Sequence, residues 1–254
     1  MDAPGAPELW FVNTRFSCLC TRDLSYSFVP RWRPPFISAL APEDRCHLNG
    51  PALDQGRPRF VTALAVSDEP AGWRPHKRDG GVLLDVPSGE VVTRGLSMPH
   101  SPRCYRGQVW LLNSGAGGLG LVQPGAGTYE EVAALPGFTR GLDFGDRFAF
   151  VGLSQVRESA IFSGIAIAER PLAERCCGVW AVDLATGQTV AFVKFEDGVQ
   201  EIFAVQVVVG RHFPELLNDD PARIADSFVL PDGPLDTVAA AYVRRATGPG
   251  AATR

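Results

Sequence analysis

Residues 98–133 read MPHSPRCYRGQVWLLNSGAGGLGLVQPGAGTYEEVA, and this stretch contains the pattern that decides the fold. Short apolar runs alternate with turn signals. Arg106-Gly107 separates the first two runs, and residues 124–127, Pro-Gly-Ala-Gly, separate the last two. Apolar runs bounded by Gly and Pro are typical of antiparallel hairpins. The stretch therefore predicts four consecutive strands in one antiparallel sheet.

The same four-strand pattern occurs on both sides of this stretch. One copy begins at His47 and ends near Thr93, and another begins at Phe138 and ends near Phe195. In these copies, residues 85–89 and 183–187 both match the pattern D-x-x-[ST]-G. This is a hairpin turn in which Asp caps the turn and Gly takes the positive φ.

Two further copies are incomplete. Residues 9–13 are predicted to be the second strand of a unit and residues 16–20 its third strand, while residues 199–208 are predicted to open a last unit as its first strand. Four short strands in each unit of roughly 40–50 residues are typical of a β-propeller. We therefore expect an all-β protein, a β-propeller of about five blade-like units that is incomplete at the N-terminus. A β-sandwich is the competing fold, but a sandwich does not require a repeat.

The pattern also predicts the domain boundaries. We expect a disordered N-terminus at residues 1–8, the propeller at 9–232, and a C-terminal helix (Leu235–Arg245) with a disordered tail in 233–254. Long insertions at residues 66–79 and 155–176 separate second from third strands. Such insertions usually lie on one face of a propeller and carry function.

Composition excludes several classes of protein. The chain has 254 residues, of which 27 are Gly and 21 are Pro, about a fifth instead of the usual ~12%, and helical bundles do not tolerate this share. A net charge of −4 gives no electrostatic reason to bind nucleic acid. No apolar run approaches the ~18 residues of a membrane span, and the N-terminus has no basic, apolar signal sequence. We expect a cytoplasmic protein with no nucleic-acid or membrane partner.

The six cysteines fit that compartment as reduced thiols. Cys18 and Cys20 lie two residues apart in a predicted strand, so their side chains face the same side. They are interpreted as buried structural residues or as half of a site for a thiophilic metal.

Four polar residues open the first strands of successive units: His47, His100, Arg140 and Glu201. First strands line the axis of a propeller, so these side chains are expected to meet at one end of the central channel. Two imidazoles and one carboxylate, from His47, His100 and Glu201, suit a divalent metal such as Zn²⁺, Mn²⁺ or Fe²⁺. Arg140 would then orient an anionic substrate, because its planar fork fits a carboxylate or phosphate. A solvated polar lining without a ligand is the alternative.

Other candidates lie nearby. Asn49, Asn13 and Asn113 are predicted to add ligand contacts, and the last two occupy equivalent positions in their units. Arg157 and Glu158 lie side by side at the start of the second insertion and are predicted to be catalytic, with Glu158 as acid or base. A loop salt bridge is the simpler interpretation of this pair.

Several strings together resemble an uncharacterised bacterial family, that of domain of unknown function 4915: LWFVNTRFSCL (9–19), FVPRWRPPFI (28–37), CHLNG (46–50), GLSMPHSPR (95–103), GLSQVRES (152–159) and GVQEIF (198–203). The resemblance implies a β-propeller-like fold and no assigned activity. It also implies that members of the family begin upstream of the segment that starts at Leu9 in this chain. The incomplete first unit agrees with that expectation.

The sequence thus predicts a small-molecule or metal site at the central channel, with metal-assisted hydrolysis or lyase chemistry as the reaction class. The alternative is a non-catalytic scaffold that binds a protein partner through its faces and insertions.

Overall fold

The structure is a computed structural model that describes residues 8–156, 162–211, 214, 217, 219–228 and 232–239. It divides into two units, Met1–Gln206 and Val207–Arg254. The described part of the second unit contains the short helices Pro221–Ala225 and Asp232–Leu235. The rest of the helix predicted from Leu235 onwards, and the predicted disordered ends, lie largely outside the described residues. Among the described residues, no helix is long and apolar enough to cross a lipid bilayer.

The described residues of the first unit form four antiparallel sheets in which each strand pairs with the next one along the chain. The first sheet has three strands: β1 (Trp10–Asn13), β2 (Cys18–Thr21) and β3 (Val29–Trp32). The second has β4 (Leu48–Asp54), β5 (Arg57–Ala63), β6 (Gly81–Asp85) and β7 (Val91–Leu96). The third has β8 (Pro99–Tyr105), β9 (Gln108–Asn113), β10 (Gly118–Gln123) and β11 (Thr128–Ala134). The fourth has β12 (Phe138–Gly145), β13 (Phe148–Ser154), β14 (Gly178–Asp183) and β15 (Thr189–Lys194).

The predicted hairpin chemistry is confirmed. The Asp85 carboxylate accepts a hydrogen bond from the Ser88 amide, and Gly89 has a φ of 75°. Asp183 accepts from the Ala185 amide in the equivalent turn, where Gly187 has a φ of 70°. These turns fix the register of the last two strands in the second and fourth sheets.

Successive sheets pack face to face through apolar clusters. Leu19, Val61 and Leu84 belong to the cluster between the first and second sheets. Phe60 and Leu111 belong to the next one. The cluster between the third and fourth sheets includes residues such as Trp110, Leu112, Val151 and Trp180. The first strands β4, β8 and β12 contact one another in order. Sequential four-stranded meanders that meet through their first strands give the unit a propeller-like fold.

The predicted count of about five units is not confirmed, because four sheets form within the described residues. Residues 199–208, predicted as a first strand, join no strand ladder there. Residues 200–205 lie against β12 and β13 instead, and Gln155 donates its amide to the Gln200 carbonyl at 2.9 Å. The physical reason is that no second strand lies beside them to complete a ladder.

Both insertions lie between second and third strands, as predicted. Their apolar residues Trp73, Ile165 and Ile167 share a buried cluster with Phe138. The second insertion is held by Arg175, which is buried and donates to the carbonyls of three insertion residues: Val156, Ala168 and Arg170.

Glycine allows the first strands to approach closely. A Cβ on Gly50 of β4 would lie 2.9 Å from Cδ of Pro102 and 3.1 Å from the amide nitrogen of Ser101, both in β8. Real Cβ atoms do not approach other atoms this closely without displacing them. The distance between neighbouring first strands therefore depends on the missing side chain.

We expect Gly50→Ala to lower the free energy of unfolding by about 1–3 kcal/mol, because the added methyl group overpacks the contact between β4 and β8. Urea unfolding of the full chain measures this change. Gly125→Ala is the matched control, since a Cβ there has nothing within 4 Å and Gly125 has no positive φ. Equal unfolding free energies for the two variants would show that the close approach is not a constraint.

Candidate functional site

A β-bulge interrupts each complete first strand at the same level. The pairing skips Asn49 in β4, Ser101 and Pro102 in β8, and Arg140 and Gly141 in β12. A bulge adds an unpaired residue and turns its side chain out of the regular alternation. The bulges therefore place Asn49, Ser101 and Arg140 at equivalent positions on neighbouring strands.

Two of these bulge residues connect one sheet to the next. Asn49 donates from Nδ2 to the Pro99 carbonyl at 2.9 Å and accepts from Thr62 Oγ1 at 2.6 Å. Ser101 Oγ accepts from the Gly141 amide at 3.1 Å. Both ends of the Asn49 amide thus bond to the protein, which gives this residue a structural role at the place where a ligand contact was predicted.

His47 lies just before β4 and is held by a carboxylate that the sequence analysis did not single out. Its Nδ1 lies 2.9 and 3.0 Å from the two carboxylate oxygens of Asp44. Trp73 also donates to Asp44, from Nε1 at 3.0 Å, and its ring centroid lies 4.4 Å from that of His47. A carboxylate that accepts from Nδ1 fixes the imidazole and leaves Nε2 as the acceptor. The half-buried His47 therefore presents a basic nitrogen with a defined orientation.

His100, in β8, is buried, with 7% of its surface exposed. Its Nδ1 donates to the Met98 carbonyl at 2.8 Å and lies 3.1 Å from Ser114 Oγ. Its ring packs edge-on against Phe138 at 5.5 Å. Burial, and then the nearby charge of Arg140, lower the pKa of His100 to about 3. The imidazole is therefore neutral over the physiological range.

Arg140 lies at the bulge of β12, and its guanidinium carbon lies 4.2 Å from the centroid of the exposed Phe203 ring. Burial lowers the pKa of Arg140, and the charge of Glu201 opposes that effect. Arg140 makes no ion pair and no hydrogen bond within the part of the chain that the structure describes. Arg103, on β8, instead donates to the Pro102 carbonyl. Arg140 is thus a half-buried cation whose guanidinium donors no described residue uses.

The electrostatic couplings show which predicted residues are close together. The charges of Arg140 and His47 both act on the pKa of His100, and the charge of Glu201 acts on the pKa of Arg140. These couplings place His100 within electrostatic range of His47 and Arg140, and Arg140 within range of Glu201.

The predicted metal centre is not formed by these neighbours. Among the described residues, no group of three His, Cys, Asp or Glu side chains could hold a metal ion, so His47, His100 and Glu201 do not come together as ligands. The two Nδ1 atoms are already engaged by Asp44 and by the Met98 carbonyl, and Glu201 is the acidic neighbour of Arg140.

The remaining predicted residues lie elsewhere. Asn13 and Asn113 do occupy equivalent positions, each just before a short 3₁₀ turn, but their Oδ1 atoms accept from backbone amides, of Phe16 and Ser97 respectively. At equivalent positions of the repeat, both asparagines therefore bind backbone amides. Arg157 and Glu158 lie outside the described residues.

A separate cavity lies beside the first sheet. Its volume is about 270 Å³, and its lining includes Cys18, Trp32 and two exposed arginines, Arg31 and Arg33. Cys18 and Cys20 do face the same side, with their sulfur atoms 3.4 Å apart. Burial raises the pKa of Cys18, and burial together with its neighbour raises the pKa of Cys20 to about 12. The pair is therefore protonated and unreactive, as the structural interpretation predicts.

The neutral state of His100 predicts a pH dependence. Because its pKa in the folded protein is about 3 and the ordinary value is 6.5, the unfolded chain takes up a proton that the folded chain does not. The stabilising effect is complete above the unfolded pKa and is lost as the pH falls towards the folded pKa. From about pH 6 to 4, this group alone lowers the unfolding free energy by up to ~1.4 kcal/mol per pH unit.

Urea unfolding at several pH values checks this expectation. His100→Gln should lose this part of the pH slope, and His76→Gln, at an exposed position in the first insertion, should keep it. Parallel pH profiles for His100→Gln and the unmodified chain would contradict the expectation.

Comparisons with solved structures give distant likenesses. The designed Ika8 protein matches with 11% identity and a TM-score of 0.40, over 77% of this chain and 48% of that one. Hydrazine synthase of Kuenenia stuttgartiensis matches with 9% identity and a TM-score of 0.43, over 76% and 47%. The dihydro-heme d1 dehydrogenase NirN in complex with DHE matches with 14% identity and a TM-score of 0.40, over 76% and 36%. The chain spans about half or less of the length of these proteins.

A comparison with curated proteins gives no match. A family model does match, however, and it covers residues 2–217, which include all four sheets and the residues of the candidate site. This confirms the resemblance that the sequence strings indicate. The chain therefore belongs to the family of DUF4915, a domain of unknown function.

Proposed function

We propose that the protein binds a small anionic molecule, a carboxylate or a phosphate, at the end of the first strands where Arg140 lies. The observation that supports this proposal is the state of the Arg140 guanidinium. It is half-buried, it stacks on Phe203, and it forms no ion pair or hydrogen bond with any described residue. A guanidinium has five donors in a planar fork, and leaving them unused away from water is costly. A bound oxyanion would satisfy two of them at once.

The neighbouring histidines define the chemistry of the ligand further. His47 presents Nε2 as an acceptor, because Asp44 holds its other nitrogen. A hydroxyl or protonated oxygen of a ligand could donate to this nitrogen. The buried and neutral His100 adds no positive charge of its own. The site is therefore suited to one anionic group rather than to a highly charged polyanion.

Binding alone is proposed, without a metal-assisted reaction. The sequence predicted metal-assisted hydrolysis or lyase chemistry from His47, His100 and Glu201, and these residues do not form a group of ligands among the described residues. The pair His47 and Asp44 has the arrangement of an oriented general base.

A second candidate function, binding of a protein partner, is favoured by one observation. The last strand of the fourth sheet carries exposed apolar side chains at Val190, Phe192 and Val193. Large apolar side chains that a strand leaves exposed mark a candidate interaction surface.

Calorimetric titration with inorganic phosphate, and separately with succinate, tests the anion site. We expect at least one of the two to bind, and Arg140→Gln to weaken that binding by at least about tenfold, because a charge-assisted hydrogen bond contributes about 1.5–3 kcal/mol. Arg140→Lys should recover only part of the affinity, since lysine lacks the fork.

Arg94→Gln is the matched control, because Arg94 is exposed on β7 and loses the same charge. The Arg94 variant should bind as the unmodified chain does. No binding of either anion, or equal affinities for the two glutamine variants, would overturn the proposal.

A further inference from the structure

The first sheet corresponds to the second, third and fourth strands of a blade. Its strands β1 and β2 are joined by a 3₁₀ turn, Thr14–Phe16, that ends at Ser17 with a φ of 52°. The second and third strands of the third sheet, β9 and β10, are joined by the same kind of turn, Ser114–Ala116, which ends at Gly117 with a φ of 79°. In addition, β1 contacts β4 as β9 contacts β12. β1 is therefore a second strand, and the position of a first strand beside it is open within the described residues.

The open edge leaves β1 less covered than its counterparts. All four of its residues are half-buried, whereas most residues of β5, β9 and β13 are buried. The indole nitrogen of Trp10 is buried and has no hydrogen-bond partner among the described residues. An unpaired edge of this kind is a template for another strand.

Residues 200–205 show the opposite situation. They lie where a first strand is expected, but no second strand pairs with them among the described residues. They lie against the fourth sheet so closely that a Cβ on Gly141 would lie 2.7 Å from the amide nitrogen of Val205, and one on Gly152 would lie 2.6 Å from Cγ2 of Ile202. Ser154 Oγ accepts a hydrogen bond from the Ile202 amide and donates one to the Ile202 carbonyl. The backbone groups of Phe203, Ala204 and Val205, by contrast, take part in no hydrogen bond within the described part of the chain.

The face of the fourth sheet beyond this segment is also uncovered. Phe60 and Trp110, on the second strands of the second and third sheets, belong to the clusters that the next sheet covers, and they are 5% and 2% exposed. On the fourth sheet Phe148 and Phe150 are only half-buried, and Val193 is 60% exposed. The fourth sheet thus lacks the neighbour that covers the second and third sheets.

We propose that two copies of the chain complete each other: residues 200–205 of each copy add as an antiparallel first strand to β1 of the other copy. The added strand takes the orientation that β4 has to β5, β8 to β9 and β12 to β13, all of which are antiparallel. The first sheet of one copy then covers the apolar face of the fourth sheet of the other. Two such junctions give a closed assembly of eight four-stranded units, which lies within the range of known propellers.

A second copy fits this position better than the same chain does. Residues 200–205 are fixed on the fourth sheet by the close contacts at Gly141 and Gly152, and β1 is fixed on β4 through the cluster of the first two sheets. Neither segment is hydrogen-bonded to the other in the described structure. Joining them within one chain would require a change from the described structure, in which they are not paired, whereas joining two copies leaves each chain as it is. Closure after two copies also prevents growth into a filament.

Light scattering coupled to size-exclusion chromatography tests the proposal on the full chain. We expect a mass of twice the chain's 27.3 kDa. Ala204→Pro removes a backbone amide hydrogen that no described residue uses, so it should give a folded single chain. Ala204→Ser keeps the amide and should keep the two-chain mass. Circular dichroism shows that both variants are folded.

A mixing experiment distinguishes mutual strand addition from other dimers. Phe11→Asp places a charge on β1 and should also give single chains. An equal mixture of the Ala204→Pro and Phe11→Asp variants retains one intact β1 and one intact strand, so it should recover two-chain species. A single-chain mass for the unmodified protein at all concentrations, a mass above two chains, an Ala204→Pro protein with the two-chain mass, or no recovery on mixing would overturn the proposal.

Discussion

The close approach of consecutive first strands is the constraint on which the rest of the first unit depends. Gly50 lets β4 reach β8, and Gly141 lets residues 204 and 205 reach β12. Because the first strands lie this close, the sheets that follow them must pack face to face, and their apolar faces form continuous clusters. The same contacts bring the bulges to one level. The position of the candidate site is therefore a consequence of backbone packing.

The electrostatics of the site follow from that packing. His100 and Arg140 lie on neighbouring strands, and burial together with their proximity keeps the imidazole uncharged. Glu201, the acidic group that acts on Arg140, is exposed and makes no direct ion pair with it among the described residues. Arg140 thus differs from the buried Arg175: three carbonyls accept from Arg175, whereas no described residue accepts a hydrogen bond from the Arg140 guanidinium.

Parts of this architecture could be predicted from the sequence because they depend on local chemistry. The turns that begin at Asp85 and Asp183 need only a capping carboxylate and a glycine, so the pattern was sufficient. The equivalence of Asn13 and Asn113 could also be predicted, since both precede the same kind of 3₁₀ turn.

Other parts depend on contacts that no repeat encodes. Trp73 lies 29 positions from Asp44, in an insertion that is not part of the four-strand repeat, so its hydrogen bond to the carboxylate that holds His47 could not be predicted. The sequence did contain a signal for the contact between Asp44 and His47, because Asp44 precedes His47 by three residues. The three predicted metal ligands form no ligand group among the described residues, for a related reason. The Nδ1 atoms of His47 and His100 are engaged by Asp44 and by the Met98 carbonyl, and these contacts are not encoded by the repeat.

The way in which Arg175 holds the second insertion has a consequence for how this family can vary. All three of its acceptors are main-chain carbonyls, at Val156, Ala168 and Arg170. A carbonyl oxygen is supplied by every amino acid, so substitutions at these three places leave the anchoring intact. The loop can therefore diversify its outward surface, and with it whatever it recognises, while a single guanidinium preserves its course.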